Sequence, residues 1–224
     1  MIHLDDVTKV YQTSQGAVRA LDGVSLEVAD GEFVAVRGPS GCGKSTLLTI
    51  VGALGMPTTG RVEVAGEDLV MLSPAGRARF RAEKIGFVFQ TFHLLPYLTV
   101  LENVAAAASG GQPSAARRRA RQLLQQFQLD HRLGHHPGQL STGECQRVAI
   151  ARAMVNDPAM ILADEPTGNL DPDNAAGVLD LLEELNRDGC TVLLVTHQDS
   201  AAHRAQRTIS LREGRIAPER GEPS

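Results

Sequence analysis

The stretch Gly38-Pro39-Ser40-Gly41-Cys42-Gly43-Lys44-Ser45-Thr46 decides the fold of this chain. It matches the phosphate-binding pattern G-x-x-x-x-G-K-[ST] at every fixed position. Its glycines let successive backbone N–H groups turn inward around an anion, the Lys44 ammonium adds a positive charge, and the Ser45 hydroxyl can ligate Mg²⁺. The strand-like residues 32–36 precede the loop and a helical pattern follows it, which puts a bound phosphate at a helix N-terminus. The sequence therefore predicts a strand–loop–helix unit that binds nucleotide phosphates.

Composition and charge exclude several classes of protein. The 224 residues suit one domain with a sub-lobe or at most two domains, and 42% hydrophobic residues allow a sizeable core. A net charge of −4 implies no strongly basic surface, so nucleic acid is not expected as a partner. The apolar runs are too short to span a bilayer, and no leader pattern is visible. Three scattered cysteines, Cys42, Cys145 and Cys190, are typical of free thiols in the cytoplasm.

Hydrophobic patterning divides the chain into three stretches. Residues 1–36 alternate apolar and polar side chains, and they predict antiparallel strands with turns at Asp22-Gly23 and Asp30-Gly31. A helical insert follows at about residues 91–150. Its predicted helices cover residues 101–108, 114–129 and 143–155. The last stretch alternates strands at 159–163 and 191–196 with helices at 173–187 and 200–206, which predicts a parallel sheet with crossover helices.

The predicted fold class is therefore α/β. We expect a single domain over residues 1–224, with a mostly parallel core sheet and an N-terminal antiparallel β-subdomain. The core comprises residues 1–90 and 151–217, and the helical subdomain lies at about 91–150. Residues 218–224 are expected to be a disordered tail.

Two carboxylates end a strand that is apolar on both faces. Residues 160–163 are followed directly by Asp164 and Glu165. A strand of this kind lies in the middle of a parallel sheet, and ligands bind beyond the carboxyl ends of such strands. Asp164 can then reach a Mg²⁺ ion held by Ser45, and Glu165 can act as general base toward the attacking water. The alternative is an acidic region before a helix N-terminus.

Five further segments make the sequence resemble the ABC-type ATPases. They are Tyr11 at the A-loop, Gln90 at the Q-loop, Leu140-Ser141-Thr142-Gly143-Glu144 at the LSGGQ signature, Gly168-Asn169-Leu170-Asp171 at the D-loop, and His197 at the switch histidine. The resemblance runs from about residue 2 to about residue 216 and implies the P-loop NTPase fold of an ABC ATPase, with ATP and Mg²⁺ as ligands. Residues 86–104, 141–144 and 163–171 are most similar to the lipoprotein-releasing and macrolide-exporting ATPases, which act with membrane partners.

The resemblance implies a role for each of these side chains. Tyr11 would stack on adenine, Gln90 would offer its amide oxygen to Mg²⁺ or to the attacking water, and His197 would support Glu165 as base. Each residue also has an ordinary structural interpretation: a core tyrosine, a loop glutamine and a histidine that follows a strand.

The resemblance also implies a second copy of the chain. Ser141, Thr142, Gly143 and Glu144 lie where a helix is predicted to begin, and in the family this helix N-terminus faces the ATP of the other subunit. The chain departs from the family at Thr142, where the consensus is glycine. The Ser141 hydroxyl and the Gly143 N–H remain available as donors, so we expect the shared site to function.

Residues 91–104 combine large apolar side chains with a position between two lobes. Docking of a cytoplasmic helix of an integral membrane permease explains this composition, and packing between the lobes is the alternative. The dense basic run at residues 117–121 is interpreted as a solvated helix surface rather than a lipid or nucleic-acid patch.

The sequence therefore predicts an ATP-hydrolysing subunit that dimerises around two MgATP and drives a permease from the inner face of the cell membrane. The alternative is an ATP-gated regulator of a membrane partner in cell-envelope remodelling, without transport. A chromosome-maintenance ATPase is disfavoured because the interval between Gln90 and Ser141 is too short for its long coiled coil.

Overall fold

An antiparallel sheet of four strands forms one side of the computed structural model, which describes residues 1–14 and 16–217. The strand order is β2-β1-β4-β5. The strands are β1 (Ile2–Thr13), β2 (Gly16–Val28), β4 (Thr59–Val64) and β5 (Glu67–Asp68). Buried and exposed residues alternate along β1 and β2, as expected for strands with one face on the core.

The predicted turn at Asp22-Gly23 is wrong, because both residues lie inside β2. Gly23 has a φ of 66°, and the pairing register of β1 with β2 shifts between Val7 and Lys9. These are the marks of a β-bulge, in which one extra residue bends a strand without ending it. The chain reverses instead between Thr13 and Gly16, which pair with each other.

A six-stranded sheet forms the centre, in the order β10-β9-β3-β8-β7-β6. Its strands are β3 (Phe33–Arg37), β6 (Ile85–Phe89), β7 (Met160–Asp164), β8 (Thr191–Val195), β9 (Arg207–Arg212) and β10 (Arg215–Ile216). All neighbours pair in parallel except β10, which is antiparallel to β9. The prediction that residues 1–36 form antiparallel strands is wrong for β3. This strand pairs in parallel with β8 and β9, and its first four residues are apolar and buried on both faces.

Seven α-helices connect these strands in the described ranges 1–14 and 16–217. They are α1 (Lys44–Val51), α2 (Pro74–Lys84), α3 (Val100–Ala105), α4 (Pro113–Gln126), α5 (Thr142–Ala153), α6 (Pro172–Arg187) and α7 (Asp199–Ala202), with short 3₁₀ helices at Asp130–Arg132 and Pro137–Gln139. Helix α2 was not predicted, although Ser73 caps its N-terminus and Pro74 occupies its first turn.

The helix predicted for residues 200–206 is much shorter in the structure. Helix α7 ends at Ala202 because the chain must enter β9 at Arg207. Gln206 already belongs to the sheet edge: its N–H donates to the Phe33 carbonyl oxygen at 2.9 Å, and its side-chain oxygen accepts from the Phe33 N–H at 3.2 Å.

Two hydrophobic clusters cover the two faces of the central sheet. One joins the antiparallel sheet and α1 to one face, and the other joins α3 to α6 to the opposite face. Residues of the helical insert, such as Leu124 and Val148, therefore pack in one cluster with Val192 and Leu194 of β8. The division at residues 91 and 150 stays a prediction, and helix α5 runs across the second boundary. The predicted tail at 218–224 lies outside the described residues.

None of the helices in the described part of the chain combines the length and the apolar composition that a bilayer crossing requires.

Candidate nucleotide-binding site

The phosphate loop connects β3 to α1 and depends on glycine at two close approaches. A Cβ on Gly38 would collide with the backbone oxygen of Leu211, and one on Gly43 would collide with that of Ala20. Gly43 also has a φ of 108°, which side chains disfavour, and it directly precedes Lys44. These glycines fold the loop back over the N-terminus of α1, where backbone N–H groups are available to an anion.

Lys44 lies inside the curve of this loop. Its side chain is only 8% exposed, and its ammonium donates to the carbonyl oxygens of Gly38 at 2.8 Å and Pro39 at 3.0 Å. The adjoining cavity of about 300 Å³ is open on one side. Residues of the phosphate loop and α1 line it together with Ala20 of β2 in the antiparallel sheet and with the end of β7 in the central sheet. The lining residues are Ala20, Ser40, Gly41, Gly43, Lys44, Ser45, Thr46, Asp164 and Glu165. The cavity is therefore lined by a cation, the Lys44 ammonium, and by the carboxylates of Asp164 and Glu165.

Asp164 ends β7 and accepts a hydrogen bond from the Ser45 side chain. Burial raises the pKa of the Asp164 carboxyl, and the neighbouring Glu165 also raises it, whereas Ser45 and Lys44 lower it. The hydroxyl and the carboxylate together offer two oxygen ligands, the type of ligand that Mg²⁺ prefers. A divalent cation would also offset the burial of the Asp164 charge, so these residues fit the metal that the sequence implies.

Glu165 leaves the sheet in a left-handed backbone conformation with a φ of 50°. Its N–H donates to the carbonyl oxygen of Val195 at 2.9 Å. The Glu165 carboxylate lies 2.8 Å from Nδ1 of His197, and the His197 N–H also points to it at 3.4 Å. The structure thus brings the predicted histidine into contact with the predicted base, and this base lines the cavity.

Gln90 follows β6, next to the end of β7, because Phe89 and Asp164 pair in register. The Gln90 side chain donates to Oδ1 of Asn169 at 3.2 Å, and the Asn169 amide donates back to the Gln90 carbonyl oxygen at 3.1 Å. The sequence identifies the D-loop motif that contains Asn169 but predicts no individual role for this side chain. A Cβ on Gly168 would lie 2.7 Å from the Gln90 amide nitrogen, so a larger residue there would displace the Gln90 side chain.

The segment of residues 140–144 begins helix α5. The Ser141 hydroxyl accepts from the Glu144 N–H at 3.2 Å, and the Glu144 carboxylate accepts from the Ser141 N–H at 2.8 Å. This is a capping box. Burial opposes the ionisation of Glu144, but hydrogen bonds from Ser141 and Arg132 outweigh it and hold the Glu144 pKa below its usual value.

The structure does not bring this segment to the phosphate loop of its own chain. Among the described residues, none of Ser141, Thr142, Gly143 or Glu144 lines the cavity at Lys44. Ser141 and Thr142 are exposed, whereas Gly143 is buried. A Cβ on Gly143 would collide with the Asn174 side chain, so the close contact between α5 and α6 favours glycine there.

Tyr11 is on β1 and pairs with Val18 of β2. Its side chain is 43% exposed, and the Lys9 ammonium lies 5.0 Å from the ring centroid. A core role for Tyr11 is therefore wrong. Ala20, further along β2, lines the cavity, so the strand that pairs with the Tyr11 segment borders the phosphate loop.

The fold and the site together define a P-loop ATPase. Its helical insert contains the capped N-terminus of helix α5. A sequence model described as "ABC transporter" matches residues 21–168. The chain belongs to the ABC transporter family. This membership and the α/β fold confirm the class of protein predicted from the sequence, an ABC ATPase.

Two relatives illustrate the range of the similarity. The macrolide export ATP-binding/permease protein MacB of Hyphomonas neptunium is 47% identical over 223 residues, which are 99% of this chain and 35% of that protein. The chain thus spans about a third of the length of such relatives. The lipoprotein-releasing system ATP-binding protein LolD 1 of Caulobacter vibrioides is 47% identical over 220 residues, which are 96% of this chain and 94% of that protein.

Solved structures of the cassette MJ0796 have the same fold. A dimer in a post-hydrolysis state bound to ADP and Pi superposes with a TM-score of 0.90 at 41% identity and covers 100% of both chains. A second dimeric structure has a TM-score of 0.89 at 43% identity and covers 98% of this chain and 97% of that chain.

Proposed function

We propose that the chain binds and hydrolyses MgATP as one half of a dimer and thereby drives a membrane permease of the lipoprotein-release or macrolide-export type. The observation that carries this proposal is the contact between Glu165 and His197 at the mouth of the cavity that holds Lys44 and the Ser45–Asp164 pair. This set contains an anion cradle, a pair of metal ligands and a base with its supporting group.

Each side chain contributes a separate step. The loop N–H groups and Lys44 hold the phosphates, and Tyr11 presents an exposed ring to the adenine. Ser45, Asp164 and the Gln90 amide oxygen would hold Mg²⁺, which neutralises phosphate charge when bound. The Glu165 carboxylate accepts a proton from the attacking water, and His197 holds that carboxylate in position and can donate to the γ-phosphate.

A second copy completes the site. The N-terminus of α5 offers the Ser141 hydroxyl and the Gly143 N–H, and both lie outside the cavity of their own chain. The dimeric state of the MJ0796 structures supports an arrangement in which these donors contact the ATP of the other copy. Thr142, at the first position of α5, adds an exposed hydroxyl beside them.

The permease contact is proposed at residues 91–104. Leu94 packs into the second hydrophobic cluster, but Leu95 and Tyr97 are 41% and 71% exposed. Buried Asn103 fixes the loop, because its side chain accepts from the Leu95 N–H at 2.7 Å and donates to the Leu98 carbonyl oxygen at 3.1 Å. Exposed apolar side chains on a fixed loop favour docking of a partner helix. The chain would then act at the cytoplasmic face of the membrane.

Removal of the base tests the proposed chemistry. Glu165→Gln keeps the size of the side chain but cannot accept the proton, so steady-state ATP hydrolysis should fall by about 10²–10⁴-fold while ATP still binds. The matched control is Glu184→Gln, an exposed residue of α6 that should hydrolyse ATP at the wild-type rate. Hydrolysis by Glu165→Gln at the wild-type rate would refute the assignment of the base.

A further inference from the structure

Gln146 is a polar side chain with 0% exposure in helix α5. It lies five residues after Ser141, on the helix whose N-terminus we propose to contact the ATP of the second copy. Glutamine is rarely buried completely unless its amide has specific partners.

The amide nitrogen of Gln146 donates to two backbone carbonyl groups of the site. It donates to the Pro166 oxygen at 2.8 Å and to the Phe89 oxygen at 3.3 Å. Pro166 directly follows Glu165, and Phe89 directly precedes Gln90. One side chain therefore joins α5 to both of the loops that carry the proposed base and the proposed glutamine.

These two carbonyl groups lie where the sheet ends. Strands β6 and β7 pair in register up to Phe89 and Asp164, and no further β6–β7 pair follows within the described residues. A buried carbonyl group beyond the last pair needs another donor. Gln146 supplies that donor at the position where the Glu165 backbone adopts its left-handed conformation, which persists only when its surroundings hold it.

The oxygen atom of the same amide makes glutamine unfavourable at this position. Gln146 Oε1 is buried and has no hydrogen-bond partner among the described residues. An unpaired buried acceptor is unfavourable, and an apolar side chain of the same shape would avoid it. The presence of an amide here indicates that its two donated hydrogen bonds outweigh that penalty.

Helix α5 makes a second contact with the loop that contains Gln90. Arg152, six residues further along α5, donates to the carbonyl oxygens of Phe92 at 2.8 Å and of His93. Gln90 is thus bracketed by two contacts from one helix, through Phe89 on one side and through Phe92 and His93 on the other.

We infer that Gln146 is a positioning residue: through its contacts with the backbone on either side of the site, it transmits the placement of α5 to the Glu165 carboxylate. The inference rests on the proposed function, because it assigns Glu165 as the base. Contact of the α5 N-terminus with the second copy's ATP would then fix the carboxylate in the same chain's own site. Gln146 touches neither nucleotide and acts through the two loops.

Gln146→Met tests this role, because methionine has a similar volume and cannot donate. Misplacement of the base by about 1 Å lowers kcat by roughly 10²-fold, so we expect a fall of about 10- to 100-fold with the KM for ATP within about twofold of wild type. Gln146→Leu serves as a second apolar variant. The matched control is Val148→Ala, a buried α5 residue in the hydrophobic cluster, which should leave kcat unchanged at a temperature where every variant is folded.

The deciding measurement repeats the substitution in the Glu165→Gln background under single-turnover conditions. A residue that acts by positioning Glu165 should have no further effect once that carboxylate is gone, so Gln146→Met/Glu165→Gln and Glu165→Gln should hydrolyse ATP at equal rates. An equal fall in both backgrounds, or a Gln146→Met kcat equal to that of Val148→Ala, would overturn the inference. Failure of the proposed function would be visible separately, as wild-type hydrolysis by Glu165→Gln alone.

Discussion

Two neighbouring carboxylates at the end of β7 have different surroundings. Asp164 is in contact with Ser45, and burial raises its pKa. Glu165 has a backbone φ of 50°, which turns it out of the strand toward His197. The pleat would otherwise point successive side chains to opposite faces. The left-handed residue therefore lets two adjacent residues line one cavity, the first beside the proposed metal ligand Ser45 and the second beside the histidine.

Replacement of Asp164 should change stability in a direction set by its pKa. Because the folded-state pKa is raised, the favourable contribution of the protonated form is complete below about pH 4 and is lost as the pH rises through the folded-state pKa. At pH 7 the Asp164→Asn protein should therefore have a higher melting temperature than wild type without nucleotide.

The same variant should respond less to MgATP. Without the Asp164 carboxylate, added Mg²⁺ should no longer increase the stabilisation that ATP gives, which thermal melts with ATP plus EDTA and with MgATP would compare. A wild-type response to Mg²⁺ would contradict the proposed metal ligand.

At the scale of elements, the N-terminus of α5 is stabilised from two sides. The capping box joins Ser141 to Glu144, and the Arg132 guanidinium donates to the Glu144 carboxylate at 2.8 Å. Arg132 belongs to the first of the two 3₁₀ helices before the segment, Asp130–Arg132. The segment proposed to contact the second copy is therefore ordered before any partner arrives.

Glu144→Ala should lower the free energy of unfolding by about 1–2 kcal/mol, because it removes half of the capping box and the carboxylate partner of Arg132. The Glu144 pKa is lowered in the folded state, so its contribution is present at neutral pH and is lost as the pH falls through that pKa. Urea unfolding at pH 7 and at pH 4 measures both effects. A difference from wild type that does not shrink at pH 4 would contradict the role of the ionised carboxylate, and Glu184→Ala serves as the surface control.

The sequence predicts those elements best whose local chemistry is self-contained. The phosphate loop, β7 and the long helix α6 carry complete signals in glycine spacing, apolar runs and helical periodicity. The parallel pairing of β3 depends on strands more than 150 residues away, which no local pattern contains. The bulge at Gly23 resembles a turn, since both use a left-handed glycine. Gln146 carried no visible signal, because its partners are backbone atoms of distant loops.

At the scale of the whole molecule, the loop around Leu95 and Tyr97 should recruit the permease. Leu95→Asp/Tyr97→Asp places two charges on the proposed contact, so the protein should no longer co-sediment with vesicles that contain the permease, while its melting temperature stays near that of wild type. The control Val18→Asp alters an exposed apolar residue of β2 on the antiparallel sheet. Unchanged co-sedimentation of the double variant would exclude this loop as the docking site.

The phosphate loop and the N-terminus of α5 lie at separate places on one chain, so the composite site requires two copies around ATP. Size-exclusion chromatography with light scattering on the Glu165→Gln protein tests this central claim most directly, because slow hydrolysis preserves the ATP that holds the dimer. We expect twice the mass of one chain with MgATP and a single mass without it. Adding Ser141→Arg, which places bulk and charge at the contact, should keep the protein monomeric while ATP still binds. A Glu165→Gln protein that binds ATP but remains monomeric, or a Ser141→Arg variant that dimerises normally, would contradict the account.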